Sequence, residues 1–330
     1  MKINAHSVYM PREHIIFLEE WLLYHMWSGV DHFYLYDNTG SWGDALSLHK
    51  NVDKTGKDKR GYNVKSITSH LTDNDIHHIQ EKIFKKYTDL VTRVKWQPRH
   101  RKFKQRIIYG QSAAIHDYVS RYGDTADWTY FFDIDEFFYS PMKKTLRECI
   151  IELEEASYSR LVIFGNNFLN RYKLDGNGDT VIRNKYQSQI FESLGRDPAC
   201  PKQIIRCRDL AETNAWRKPT GKSLPAIHYA NLKPGCKTRR GSRPRNAYTF
   251  RNTPQGTEVE YARFNHYNTP EELITESTAT YGPWGRGRHA DLKKHFPNGI
   301  EDIYYDDGLS DIKPKLDKIN MVINEYIDIS

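Results

Sequence analysis

Short apolar runs and amphipathic stretches alternate along most of this chain, and the alternation predicts an α/β fold. Ile3 to Tyr9 reads as a first strand. After Pro11, the stretch Glu13 to Trp27 sets Ile16, Leu18, Leu22, Leu23 and Met26 near helical spacing, with Glu19 and Glu20 on the solvent side. Gly29 ends that helix as a C-cap, and Asp31 to Asn38 forms an apolar strand finishing in Asp37-Asn38. Strand, helix and strand in this order make a βα unit. Residues 39–62 are polar and Gly/Lys-rich, a surface loop. Further elements follow: a strand at Val64 to Ile67, a helix at Asp75 to Tyr87 and a strand at Val91 to Trp96. A helix from Arg106 to Tyr122, stopped by Gly123, leads into a strand at Trp128 to Ile134.

Beyond Pro141 the pattern is looser. Thr145 to Ala156 is a helix with a threonine N-cap, and Ser159 to Phe164 is a strand. Residues 170–200 are polar, with short strands expected afterwards at Gln203–Arg206 and Ala226–Tyr229. Residues 233–258 read as a basic, Pro/Gly-rich loop, Tyr261 to Tyr267 as a strand, and Thr269-Pro270-Glu271-Glu272 as the start of a helix. The tail is mixed helix and loop. No internal repeat or clear linker divides the chain, so one compact domain with a C-terminal extension is expected.

The most informative stretch is Trp128-Thr129-Tyr130-Phe131-Phe132-Asp133-Ile134-Asp135-Glu136-Phe137-Phe138. Aromatic residues drive a strand into the core, and three carboxylates appear where it should emerge. Unpaired buried carboxylates cost several kcal/mol each, so such a cluster needs compensating charge. On a continuing strand Asp133 and Asp135 would share one side, a ready site for a hard divalent cation such as Mg2+ or Mn2+. The alternative is a strand followed by a solvated acidic turn. The carboxyl end of a strand is also where open α/β sheets bind ligands.

Composition narrows the class. At 330 residues, 38% hydrophobic and 13% aromatic, the chain can bury a sizeable core, and disorder does not dominate. The net charge of +7 is concentrated in two segments. One runs from Arg93 to Arg106, the other from Lys233 to Arg251. Both suit phosphates, on a nucleotide, a nucleic acid or a membrane surface, and equally suit solvated loops. The four cysteines have no zinc-motif spacing and read as reduced thiols. With no apolar signal segment at Met1 to His6 and no run long enough to span a bilayer, a soluble cytoplasmic protein is expected.

Several motifs stand in a known order. Glu20-Trp21-Leu22-Leu23-Tyr24-His25, Gly29 through Asn38, Trp128 through Phe138, and Phe264-Asn265-His266-Tyr267 together resemble the glycosyltransferases of family 92 and the related family-2-like group. The resemblance covers roughly residues 5–285. It implies a GT-A fold, a Rossmann-like mixed sheet flanked by helices. Residues 1–285 would form that domain, 1–140 being the nucleotide-binding half and 141–285 the acceptor half; residues 286–330 would be a helical extension. It also implies metal-dependent transfer of a sugar from a UDP- or GDP-linked donor to a hydroxyl of a glycan or glycoconjugate, by inversion, with Mn2+ or Mg2+ as cofactor. No nucleic-acid partner is expected; peripheral membrane contact through the basic segments is allowed. A metal-dependent nuclease-like protein and a catalytically silent carbohydrate-binding relative are the competing readings.

The resemblance also assigns residues. Asp133 and Asp135 would hold the metal, Asp135 more directly, with His266 completing the shell and His228 its runner-up. Asp37 and Asn38 would face the base or ribose, with Glu13 near the nucleoside and Gln111 facing the donor pocket. Pro11-Arg12-Glu13 departs from the family's usual Lys-Asn-Glu at this point. Arg286 and Arg288, in a Gly-rich loop resembling a lid, would clamp the phosphates. Glu136 would position the acceptor, brace the loop, or sit in a buried salt bridge. For the catalytic base, Asp175, Asp179, Glu192 and Asp197 stay open.

Overall fold

The computed structural model describes residues 1–41, 65–66, 72–99, 107–140, 142, 144–163, 165–169, 186–187, 201–211, 230–241, 261–268, 271–272 and 304–305. The helices among them are α1 (Pro11–Ser28), α2 (Asp73–Lys86), α3 (Gln111–Tyr122) and α4 (Leu146–Glu155). The strands run β1 (Ile3–Tyr9), β2 (His32–Asp37), β3 (Lys65–Ser66), β4 (Val91–Lys95), β5 (Trp128–Phe131), β6 (Glu136–Tyr139) and β7 (Tyr158–Ile163). They continue as β8 (Gly165–Leu169), β9 (Tyr186–Gln187), β10 (Lys202–Ile205), β11 (Lys237–Arg240), β12 (Arg263–Asn268), β13 (Glu271–Glu272) and β14 (Tyr304–Tyr305).

A mixed sheet in the order β11-β7-β10-β5-β1-β2-β4 forms the centre. β1 pairs in parallel with β2 and β5, and β2 with β4, whereas β10 runs antiparallel to both β5 and β7. This is the α/β architecture that the alternating pattern predicts, with the mixed central sheet and flanking helices that the resemblance implies. A second sheet, β14-β9-β8-β12-β6, begins where the chain leaves the first. The central sheet draws strands from both sides of residue 140, through β7, β10 and β11.

Period-two alternation explains how both faces of the central sheet are covered. Ile3, Ala5 and Tyr9 of β1, with Trp128 and Tyr130 of β5, pack in one core with Leu18, Trp21 and Leu22 of α1 and Ile150 and Leu153 of α4. Val8, Tyr34, Tyr36 and Phe131 face the other way, onto Ala114, Ile115 and Tyr118 of α3. Local signals set the helix ends. Pro11 opens α1, and Gly29, at φ 108°, closes it in the left-handed region that only glycine enters cheaply. Thr72 with Asp75, and Thr145 with Glu148, form reciprocal capping boxes at α2 and α4.

Five expectations are corrected. Glu19 and Glu20 are buried rather than solvated, because α1 is covered on more than one side. Glu19 answers its burial by accepting from Lys86 Nζ at 2.9 Å and Tyr87 Oη at 2.5 Å. α3 starts at Gln111, not Arg106: Gly110 takes a left-handed φ of 60°, and Ile107 instead makes an antiparallel bridge to Arg99. The strand expected through Ile134 stops at Phe131, and Ile134 and Asp135 form a turn before β6. Part of the expected basic loop is β11, at the edge of the central sheet. Glu271–Glu272 opens no helix but pairs antiparallel with Lys65–Ser66, the register setting Glu272 opposite Lys65.

Candidate active site

The turn from β5 to β6 carries the three carboxylates, and topology puts it in a privileged place. β1 lies between β2 and β5, so the chain that winds outward from β1 to β2 and β4 returns to the opposite side of β1. In an open α/β sheet that reversal leaves a crevice beyond the carboxyl ends of the two strands. Phe132-Asp133-Ile134-Asp135 emerge at this point, and the Phe132 N–H still donates to the His6 carbonyl of β1 at 3.3 Å.

The turn is tightly satisfied. Asp133 Oδ1 accepts from Gln111 Nε2 at 2.6 Å and from Tyr109 Oη at 3.4 Å. Its Oδ2 accepts from Lys202 Nζ at 2.6 Å. The same ammonium reaches Glu136 Oε2 at 2.8 Å, and that oxygen also accepts the Asp133 backbone N–H at 3.0 Å. Lys202 heads β10; Gln203 stands opposite Phe131, so Lys202 lies one step past the end of β5. Its side chain is 3% exposed and that of Glu136 2%, against 26% for Asp133. Burial opposes charge on Lys202, but the two carboxylates more than offset it, and the pKa is raised. The ammonium stays charged.

His14, in the first turn of α1, comes close to the same turn. Its Nδ1 accepts the Met10 backbone N–H at 3.1 Å, so the neutral ring carries its proton on Nε2. Burial lowers its pKa, while the charges of Asp135 and Asp133 pull the other way. As an N–H donor on that side, His14 is unsuited to ligate a metal through Nε2 in this tautomer. Asp135 is partly exposed in the turn. The ladder between β12 and β6 sets the backbone of His266 opposite Glu136, at the edge of this cluster.

The residues expected to meet the nucleotide base are engaged within the protein. Asp37 Oδ2 accepts from Gln80 Nε2 at 2.9 Å and from Arg93 at 2.8 and 2.7 Å, and its Oδ1 takes the Thr39 N–H at 3.0 Å. Arg93 also pairs with Glu81, so this member of the first basic segment is an internal counter-ion rather than a phosphate-seeking surface charge. Asn38 donates to the carbonyls of Trp96 and Ile108, holding the β2 and β4 ends together.

Residues 69–216 match the profile of Glycosyltransferase family 92, a stretch that holds Gln111, the acidic turn and Lys202. Over that stretch the chain is similar to glycosyltransferase family 92. It is 24% identical over 254 residues to a glycosyltransferase family 92 protein of Ricinus communis, a match covering 76% of this chain and 32% of that protein. It is 29% identical over 129 residues to a galactan β-1,4-galactosyltransferase of Arabidopsis thaliana, covering 38% of this chain and 24% of that protein. The chain thus spans about a quarter to a third of the length of these curated relatives. Among solved structures, S. aureus TarS 1-349 is similar at a TM-score of 0.39 and 13% identity, over 81% of this chain and 60% of that one.

In this chain, then, Asp133, Asp135, Glu136 and Gln111 come together at one turn, with the His266 backbone beside them. Glu13 lies in the first turn of α1, next to His14, its side chain outside the described residues. Asp175, Asp179, Glu192, Asp197, His228, Arg286 and Arg288 all lie outside the described residues. No helix among the described residues is long and apolar enough to cross a membrane. The sequence reading missed two contributors, Lys202 and His14. Lys202 had a signal: a lysine heading the expected strand Gln203–Arg206, in a fold with three carboxylates to neutralise. His14 had none beyond its place next to Glu13.

Proposed function

We propose that this chain transfers a sugar from a nucleoside-diphosphate donor to a hydroxyl of a glycan or glycoconjugate. The observation that carries this reading is the acidic turn Asp133–Glu136 at the sheet's reversal point, inside the segment that matches the family. A galactosyltransferase among the relatives makes a UDP-linked galactose the first donor to try. Inversion is part of the proposal: the acceptor oxygen attacks the anomeric carbon as the diphosphate departs, and its proton passes to a carboxylate. Asp175, Asp179, Glu192 and Asp197 are the candidates for that base.

The chemistry of the donor set decides how a divalent cation fits. Asp133, Asp135 and Glu136 bring three carboxylates to the turn, and Lys202 pairs with two of them, Asp133 and Glu136. Carboxylate oxygens are donors that suit Mn2+ or Mg2+. Asp135 is the residue that would hold the ion, with His266 as a second ligand. When bound, the ion supplies Lewis-acid stabilisation of the diphosphate leaving group. Of the three roles open to Glu136, bracing the loop through a buried ion pair fits best: at 2% exposure and paired with Lys202, it is out of reach of an acceptor. Gln111, from the start of α3, fixes Asp133. Asp37, Asn38, Glu13, Arg286 and Arg288 keep their proposed places around the donor. Asp37 does so as the braced end of β2.

The test is release of nucleoside diphosphate from a panel of UDP- and GDP-sugars with Mn2+ and candidate glycan acceptors. Turnover in the wild type, lost in Asp135→Ala with an unchanged circular dichroism spectrum, is the expected result. Full turnover in Asp135→Ala would remove the turn from the active site. Binding of glycans without release from any donor would turn the assignment to a silent carbohydrate-binding relative.

A further inference from the structure

Asp133 is half of the acid pair that sequence reading assigns to the metal, yet both of its oxygens are already engaged by the protein. Gln111 and Tyr109 take Oδ1, and Lys202 takes Oδ2. Lys202 sits between Asp133 and Glu136 at 2.6 and 2.8 Å, where a bridging cation would stand. We infer that Lys202 is the resident counter-cation of the turn, and that Asp133 and Glu136 act by positioning the loop rather than by ligating a divalent ion. An ammonium beside two carboxylates does the neutralising work permanently. It also makes the turn's shape independent of metal occupancy. Asp133 then serves as a joint between α3, through Gln111, and β10, through Lys202. The inference does not rest on sugar transfer, and every readout below is taken without a donor sugar.

Stepwise removal of charge from the cluster tests it. Lys202→Met takes the ammonium from between Asp133 and Glu136, whereas the double variant Lys202→Met/Glu136→Gln also removes one of the two carboxylate charges. The double variant is expected to recover at least half of the Tm lost in the single one. A double variant no more stable than the single one would show that Lys202 does not neutralise these acids. Mn2+ titration, followed by the loss of the free-ion electron paramagnetic resonance signal, supplies a readout that a merely structural lysine would not move. Lys202→Met is expected to bind Mn2+ at least tenfold more tightly than the wild type, because the ion takes the ammonium's place. Unchanged Mn2+ affinity in Lys202→Met overturns the counter-cation role. Asp133→Asn, which can still accept from Lys202, is expected to stay within about threefold of the wild type, a factor worth about 0.65 kcal/mol. A tenfold or greater loss of Mn2+ affinity in Asp133→Asn would make Asp133 a ligand after all.

Discussion

His25 and His6 make the stability of this protein acid-sensitive in a range where carboxylates still hold their charge. Both rings are fully buried, and burial pushes each pKa down to about 3. His25 is neutral and fully used: Nδ1–H donates to the Trp21 carbonyl at 2.8 Å and Nε2 accepts from Tyr130 Oη at 3.0 Å. In the unfolded chain the same rings titrate near 6.5. Because the folded pKa is the lower one, the unfolded state takes up protons first as pH falls. Stability is therefore complete above about pH 6.5 and drains away toward pH 3. Between pH 7 and pH 5, protonation favours the unfolded form by a factor of about 25 per ring, or about 2 kcal/mol each and about 4 for the pair. That is a large share of the roughly 5–15 kcal/mol typical of a domain. Urea unfolding at both pH values, followed by tryptophan fluorescence, measures the loss. His25→Gln can keep the hydrogen bonds to Trp21 and Tyr130 without a titrating ring, so its loss over the same interval should be about 2 kcal/mol smaller. Glu152, the acid held below its usual range by Lys144, titrates below this window, and the difference between the two proteins cancels every other group. An equal loss in both proteins, or a wild-type stability flat within about 1 kcal/mol, would refute the burial argument.

Two further outcomes follow from packing and charge. Gly241→Ala should destabilise by about 3 kcal/mol: the added Cβ would lie 2.3 Å from the Ala262 carbonyl oxygen and 2.9 Å from Ile163 Cγ2, and urea unfolding measures the cost. There is no give at that point, since the Gly241 N–H and carbonyl are bonded to Val162 and Tyr261. Arg93→Met should cost about 2 kcal/mol by leaving Asp37 buried without its cation, less than for a fully buried pair because Arg93 keeps part of its surface in water. If Arg93→Met/Asp37→Asn is no more stable than Arg93→Met, the Asp37 charge is not what Arg93 compensates.

Much of the framework was legible because its signals are local. α2 and α4 carry threonine caps followed three residues later by an acid, and their apolar residues recur at helical spacing. α1 is bounded by Pro11 and Gly29. The solvent face predicted for α1 failed because Glu19 is paired across space with α2, 67 residues further on, and spacing within a helix cannot show a second covering layer. The end of β5 failed for a related reason. Phe132 and Ile134 are as buried as the strand before them, so apolarity continues past the point where the ladder stops. Hydrophobicity reports burial, not backbone pairing.

The acidic turn shows the same division within a few residues. Its carboxylates were legible because buried charge after an aromatic strand demands compensation, and that demand is physical whatever the partner. The identity of the compensation was not, because a metal and a lysine answer it equally well on paper. What separates them is the register of β10, which delivers Lys202 from 69 residues away to the end of β5. That register depends on β10 slotting antiparallel between β5 and β7, a tertiary fact that no local pattern encodes. With the lysine in place, Asp133 is braced from α3 and β10 at once, and Glu136 closes the loop by accepting the Asp133 N–H. Asp135 thus sits in a turn whose two flanking acids are held by Lys202, at the point where the sheet reverses. Under the proposed function, a turn braced in this way would hold its carboxylate in place before the donor binds, and preorganisation of this kind is where electrostatic catalysis draws most of its effect.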